Sequence, residues 1–144
     1  MLDRLALLSR LSGLAGEVKP EAAALEYSRV VLQLVPPYAS LFLDEEAMLN
    51  SNHAEQVELE YRRGGFLINP DWRAGPADHL GLELYFLAHL YAVDAAPAAR
   101  FLSDYLMPWA PICLLSIARV ESARLYPGLA STTLEVIGEL SRRE

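Results

Sequence analysis

The sequence has few of the residues that support disulfide or metal chemistry, and almost no lysine. Cys113 is the single cysteine among 144 residues, so an internal disulfide and a cysteine-based zinc site are both excluded. Eleven of the twelve basic residues are arginine, and the formal net charge is −7. Such an acidic balance argues against nucleic-acid binding, which needs a basic footprint. Low cysteine usage fits a reducing compartment, and we expect a cytoplasmic protein.

Long apolar runs and strand-like alternation are missing as well. The N-terminal stretch Leu5–Leu14 is interrupted by Arg10 and is too short for a signal-sequence core or a membrane span, so we expect no membrane insertion. No segment alternates with period two, which leaves strands without support. Apolar residues make up 53% of the chain, a globular composition. We therefore predict one domain over residues 1–144 with a substantial core.

Proline and glycine divide the chain into about seven predicted helices with short connections, which indicates an all-α bundle. Pro20 is expected to open one helix, and Asn52 to begin another that stops at Gly64-Gly65. The segment from Pro76 to about Val93 is apolar on nearly every face after Glu83, so it is predicted to be the most buried helix. The helix after Pro108 is expected to bury one stripe. That stripe contains Trp109, Ile112, Cys113, Ser116, Val120 and Ala123.

An Asp78-His79 pair stands at the start of this apolar helix, with Glu83 four residues after His79. Ionisable groups in such a place cost free energy unless they are paired or used. One interpretation is structural: Asp78 caps the helix and His79 pairs with Glu83 or with a backbone carbonyl. The other is a recognition site, with Asp78 and His79 partly accessible at the mouth of a groove and Glu83 supporting His79. The residues leave both interpretations open.

Several aromatic residues are candidates for binding an apolar peptide. Tyr38, Phe42 and Trp72 are expected nearest the surface, where they would line a groove or simply pack under a loop. Trp109, which stands between Pro108 and Pro111, is more typical of a core anchor than of a binding platform.

Acidic residues are concentrated in one interval. No basic residue occurs between Arg29 and Arg62, and six carboxylates lie there. They are Asp44, Glu45, Glu46, Glu55, Glu58 and Glu60. A solvated face is the default explanation, and an acidic patch for a basic partner segment is the functional one.

The order of two motifs resembles the TorD/DmsD/NarJ family, cytoplasmic chaperones that help assemble molybdenum-containing redox enzymes. The motifs are Gly75-Pro76-Ala77-Asp78-His79-Leu80 and the Phe-Leu…Leu-x-Pro-Trp block that ends at Trp109. The family pattern often reads Glu-Pro-x-Asp-His, and its members tend to have histidine where Tyr105 stands here. The resemblance implies an all-helical fold and a client-binding site. Its candidate residues are Asp78, His79, Glu83, Tyr38, Phe42, Trp72, Tyr105 and Trp109.

The resemblance implies that the chain binds the apo catalytic subunit of a molybdopterin-dependent oxidoreductase through a twin-arginine or N-terminal segment. It also implies that the chain carries no cofactor and is not an enzyme. A monomer and a helix-exchanged dimer are both compatible with the short connections. The alternative is a helical regulatory or scaffolding domain with another partner. A metal-dependent hydrolase using His79 and Glu83 is disfavoured, because further ligands and the usual catalytic motifs are missing.

Overall fold

The computed structural model describes residues 4–45, 52–72 and 75–143. Within these ranges the regular structure is helical, apart from one isolated bridge that pairs Tyr38 with His79. The all-α prediction is therefore confirmed. The helices are α1 Arg4–Glu17, α2 Pro20–Glu26, α3 Ala39–Leu43, α4 Asn52–Arg63, α5 Leu80–Val93, α6 Ala95–Phe101, α7 Ala110–Ala118 and α8 Leu125–Ser141. Two π-helical segments, Tyr27–Leu34 and Leu102–Leu106, continue α2 and α6.

The chain forms two compact units. The terminal unit combines Met1–Pro36 with Pro111–Glu144, and the central unit is Pro37–Ala110. In the terminal unit α1 packs against α8, and the Arg10 guanidinium reaches the Glu135 carboxylate at 2.6 Å. The expectation of a single domain over residues 1–144 stays a prediction.

The central unit is built around the aromatic side chain of Phe86, which is 1% exposed on α5. Its ring meets Tyr61 of α4 at a centroid distance of 4.9 Å and Phe101 of α6 at 4.8 Å, both edge to face. Such pairs add stabilisation beyond the area they bury. Helix α4 ends as the sequence predicts, because Gly65 adopts a φ of +68°, which glycine tolerates best.

The predicted start of α5 is wrong. The helix begins at Leu80 rather than at Pro76, because residue 79 is extended at φ −72° and ψ 132° and pairs with Tyr38. Six of its fourteen residues are buried, whereas Tyr85 is 71% exposed and Val93 77% exposed. The apolar sequence of α5 therefore predicts that the helix is buried, but it does not predict which of its faces packs against other segments.

The predicted stripe after Pro108 is right at Trp109 and Cys113, which are fully buried, and wrong at Ile112 and Ser116, which are exposed. Ile112 is 59% exposed, and the buried side chains of the helix include Cys113, Leu114 and Ile117. The helix starts at Ala110, so Trp109 precedes it. Within the described residues no single helix is long and apolar enough to cross a membrane. One consecutive pair, Ala95–Leu106 with Ala110–Ala118, reaches that length and composition only together.

Candidate functional site

Asp78 joins two helices of the central unit. Its carboxylate Oδ2 accepts a hydrogen bond from the backbone N–H of Ser40 at 2.7 Å, and its carbonyl accepts one from the N–H of Ala39 at 3.0 Å. Both donors belong to the first turn of α3, whose own N-cap residue, Tyr38, provides no side-chain cap. Asp78 therefore caps α3, a helix elsewhere in the sequence, and not the helix that it precedes.

His79 is the N-cap of α5. Its Nδ1 accepts a hydrogen bond from the N–H of Gly81 at 3.0 Å, and its ring makes edge contacts with Tyr38 and Trp72, each at 5.1 Å between centroids. Burial lowers the pKa of His79 to about 4, although the nearby Asp78 carboxylate opposes that shift. The imidazole is therefore neutral at physiological pH, and it is a capping group.

The expected accessibility of this pair is wrong. Asp78 is fully buried and His79 is 8% exposed, so neither presents its side chain at the surface. The expectation that the Glu83 side chain supports His79 is wrong as well. An N-cap residue lies outside the helical spiral, so the spacing of four residues does not place the two side chains on one stripe.

Glu83 instead faces His53, a residue of α4. Its Oε1 lies 3.9 Å from His53 Nε2, and the Glu83 carboxyl is fully buried. Burial raises the pKa of Glu83 well above 4.5, and the negative charge of Asp78 adds to the shift. The Trp109 indole N–H opposes it, although its geometry falls outside that of a hydrogen bond. Burial also lowers the pKa of His53, so a neutral pair is favoured.

Several buried polar atoms of this cluster have no hydrogen-bond partner within the described ranges. They are Ser40 Oγ, Asp78 Oδ1, His79 Nε2, both Glu83 carboxyl oxygens and Trp109 Nε1. Buried polar atoms normally have hydrogen-bond partners. We call the residues Ser40, His53, Asp78, His79, Glu83 and Trp109 the polar core, and its concentration of such atoms is unusual for a purely structural interior.

Metal and nucleophile chemistry gain no support from the described residues. No group of three or more His, Cys, Asp or Glu side chains among them is arranged to hold a metal ion. Burial raises the pKa of Cys113 to about 12, which keeps it in the unreactive thiol form.

The predicted aromatic residues divide into a buried and a half-buried set. Tyr38 is 8% exposed, which corrects the expectation of a surface position, and Trp109 is fully buried, as predicted for a core anchor. Phe42, Trp72 and Tyr105 are half-buried. Each rests on the polar core: Phe42 lies against Trp109 at 5.6 Å and Tyr105 against His53 at 6.1 Å between centroids, and Trp72 against His79.

The acidic interval is partly neutralised by arginines of the same helix. Glu58 pairs with Arg62 and Glu60 with Arg63, both at 2.6 Å. Glu55 is exposed on the same helix, whereas Glu46 lies outside the described residues. Exposed pairs of this kind contribute little to stability, and they reduce the charge available to a partner.

Sequence reasoning missed two features that depend on distant residues. His53 was not a candidate, because its partner Glu83 stands on a different helix. A cleft of about 510 Å³ between α4, α5 and α6 was also not expected, and of the predicted site residues it contains only Tyr105. The sequence signal for this cleft is weak: Phe86 and His89 are three residues apart on one helix, a spacing that ordinary core packing also produces.

The comparisons with known proteins agree with the resemblance in the motifs. The family described as "Nitrate reductase delta subunit" matches residues 3–114. "Chaperone protein TorD" of Vibrio atlanticus is 24% identical over 110 residues, covering 68% of this chain and 51% of the relative. Proteins of the same name from Shewanella piezotolerans and Vibrio cholerae are 26% identical over 107 residues and 28% over 114. These two alignments cover 68% and 70% of this chain, and 49% and 50% of the relatives.

The chain thus spans about half the length of the curated relatives it matches. These relatives are named as chaperones, which agrees with the expectation that the chain is not an enzyme.

Proposed function

Because the chain belongs to the nitrate reductase delta subunit family, we propose that it is an assembly chaperone for a molybdopterin-dependent oxidoreductase. It acts in the cytoplasm, where it binds the apo catalytic subunit through a twin-arginine or N-terminal segment. The match over residues 3–114, together with relatives named as chaperones, is the observation that carries this proposal.

The proposed mechanism is differential binding. An unfinished client exposes its segment, and a folded client loaded with its cofactor withdraws it. A chaperone that binds only the exposed form therefore shifts the client towards the open state until insertion is complete. This requires no covalent chemistry from the chaperone.

In this proposal the predicted site residues have two kinds of role. Phe42, Trp72 and Tyr105 are half-buried and contact the client's apolar side chains. The buried residues position them. These are Tyr38, Asp78, His79, Glu83 and Trp109. Ring contacts support this division: Phe42 rests on Trp109 and Trp72 on His79. Tyr105 rests on His53, which in turn lies 3.9 Å from the Glu83 carboxyl.

Co-purification from the native host tests the function. A tagged chain is isolated after mild crosslinking, and the captured proteins are identified by mass spectrometry from cells that lack molybdenum cofactor and from cells that contain it. We expect a molybdoenzyme catalytic subunit, enriched when cofactor is lacking. Capture of an unrelated regulator in both samples would instead support the scaffolding alternative. Light scattering on the same preparation distinguishes the monomer from the helix-exchanged dimer.

A further inference from the structure

One side of α5 is exposed and carries no charge. The residues on it are Gly81, Tyr85, Ala88 and Ala92, and we call these four exposed residues the α5 face. Their spacing along the chain places them within about 60° of one another around the helix axis. Glu83 is the sole Asp, Glu, Lys or Arg of the helix, and it is fully buried on another side.

An exposed helix face without charge differs from an ordinary surface helix. The exposed side of α4 carries charged residues such as Glu55 and Arg62, which is typical of a helix in contact with water. On α5 the Tyr85 ring instead contacts the Phe66 ring at 6.0 Å between centroids, and Leu67, the next residue, is 85% exposed. The apolar surface therefore continues from the helix into the adjoining loop. Contiguous apolar surface of this kind is typical of a surface that another molecule covers.

The α5 face is complementary to itself. Its spacing is the same in both chain directions, so a two-fold axis between two antiparallel α5 helices places Tyr85 of each copy opposite Ala88 of the other. In the same register Gly81 lies opposite Ala92. Each Tyr85 ring then covers a methyl group and not a second ring, which lets the two helix axes come close together. The antiparallel arrangement also places helix ends of opposite partial charge side by side.

Charge favours a second copy of the chain over other occupants of the α5 face. The formal net charge is −7, so two copies repel each other wherever their carboxylates meet. The α5 face has no carboxylate, and two identical faces can therefore approach each other without that penalty. A strongly basic segment needs acidic groups and a nucleic acid needs basic ones, and the α5 face provides neither.

We propose that the chain forms a homodimer in which two α5 faces pack antiparallel and each copy keeps its own helices. The helix has 14 residues and is about 21 Å long. A contact of that length lies at the low end of specific interfaces, below about 1,200 Å² in total. The dimer is therefore weak and dissociates on dilution, in contrast to a helix-exchanged dimer. Its formation does not depend on the proposed chaperone function.

The test uses three variants of the full chain. Ala88→Glu places a carboxylate under the Tyr85 ring of the other copy, twice in each dimer, and Tyr85→Lys removes that ring. Ala24→Glu adds the same charge at an exposed alanine of α2 in the terminal unit, and it is the matched control. Sedimentation velocity at a series of concentrations measures the dimer Kd. All three positions are exposed, and thermal melting verifies that each variant folds.

The wild-type chain should approach twice the mass of one chain as concentration rises, and Ala24→Glu should match it. Ala88→Glu should raise the Kd about a hundredfold, because two carboxylates enter the interface and each costs about tenfold. Tyr85→Lys should also weaken the dimer. An equimolar mixture of these two variants should recover dimers. In the mixed pair the introduced lysine faces the introduced carboxylate, and the other crossing keeps the native Tyr85 and Ala88.

Three results overturn the proposal. A wild-type monomer at every concentration excludes the interface, and loss of molybdoenzyme co-purification in Ala88→Glu would then assign the α5 face to the client. A dimer that survives both dilution and the two substitutions on α5 is held together by helix exchange. If the mixed variants stay monomeric, the antiparallel register is wrong.

Discussion

The Asp78 carboxylate and the Ser40 backbone N–H form a buried hydrogen bond of 2.7 Å between residues 38 positions apart. Two further hydrogen bonds connect the same segments: the Ala39 N–H donates to the Asp78 carbonyl at 3.0 Å, and the Leu80 N–H donates to the Pro37 carbonyl at 2.8 Å. Together they fasten the first turn of α3 to the start of α5. The half-buried ring of Phe42 lies on α3. These hydrogen bonds therefore also determine the position of this aromatic side chain.

Removing the acceptor at Asp78 should destabilise the chain. We expect Asp78→Ala to lower the free energy of unfolding by about 2 kcal/mol, because it leaves the buried Ser40 N–H without a partner. Asp78→Asn is the matched control, since its amide oxygen still accepts this bond, and it should cost much less. Urea denaturation measures both. Equal losses would show that the negative charge matters and that the hydrogen bond does not.

The cap formed by His79 should make stability fall in acid. Its pKa is about 4 in the folded chain and near 6.5 when unfolded, so the unfolded state binds more protons between these values. Stability should therefore decline as pH falls from 6.5 to 4. His79→Asn keeps a capping oxygen and should remove this part of the pH dependence, whereas His79→Ala should cost about 1 kcal/mol at neutral pH. An NMR titration showing an ordinary pKa for His79 would contradict the prediction.

Glu83 should have the opposite effect. Its pKa is raised above 4.5 by burial, so the folded state holds the proton more tightly than the unfolded state. Stability should decline as pH rises from 4.5 towards the raised pKa. Glu83→Gln mimics the protonated form and should flatten this decline, which chemical denaturation at a series of pH values would show. Parallel curves for the variant and the wild type would mean that Glu83 does not titrate differently on folding.

Acidic residues on α4 should steer a basic client segment. Reversing Glu55 and Glu58 to lysine should slow association with an arginine-containing peptide more than it speeds dissociation, because exposed charges mainly accelerate encounter. The effect should fade at high salt, where charges more than about 8–10 Å apart are screened. Stopped-flow fluorescence measures both rates, and Glu121→Lys in the terminal unit is the control. An association rate that is independent of salt and of charge reversal would leave these carboxylates as a solvated face.

Local signals in the sequence predict a large part of the fold. Pro20 begins α2, Gly64-Gly65 follow the end of α4, and Pro97 lies in the first turn of α6. Proline and glycine act through the backbone conformations that they themselves allow, so the neighbouring sequence is enough to predict these helix ends. The burial of Ala54, Val57 and Tyr61 likewise follows from the spacing of apolar residues on α4.

Tertiary structure decided how the candidate site is built. The motif residues Asp78 and His79 were visible in the sequence, but the acceptor role of Asp78 depends on Ser40, and the environment of Glu83 depends on His53. The cleft needs three helices to come together before its floor exists. Spacing along one helix specifies which residues share a face, whereas burial, pKa and partner choice depend on what other segments place against that face. The sequence by itself thus determined an all-helical chain with an Asp-His motif. Only the packing of distant segments buried that motif and gave Asp78 its hydrogen bond to Ser40.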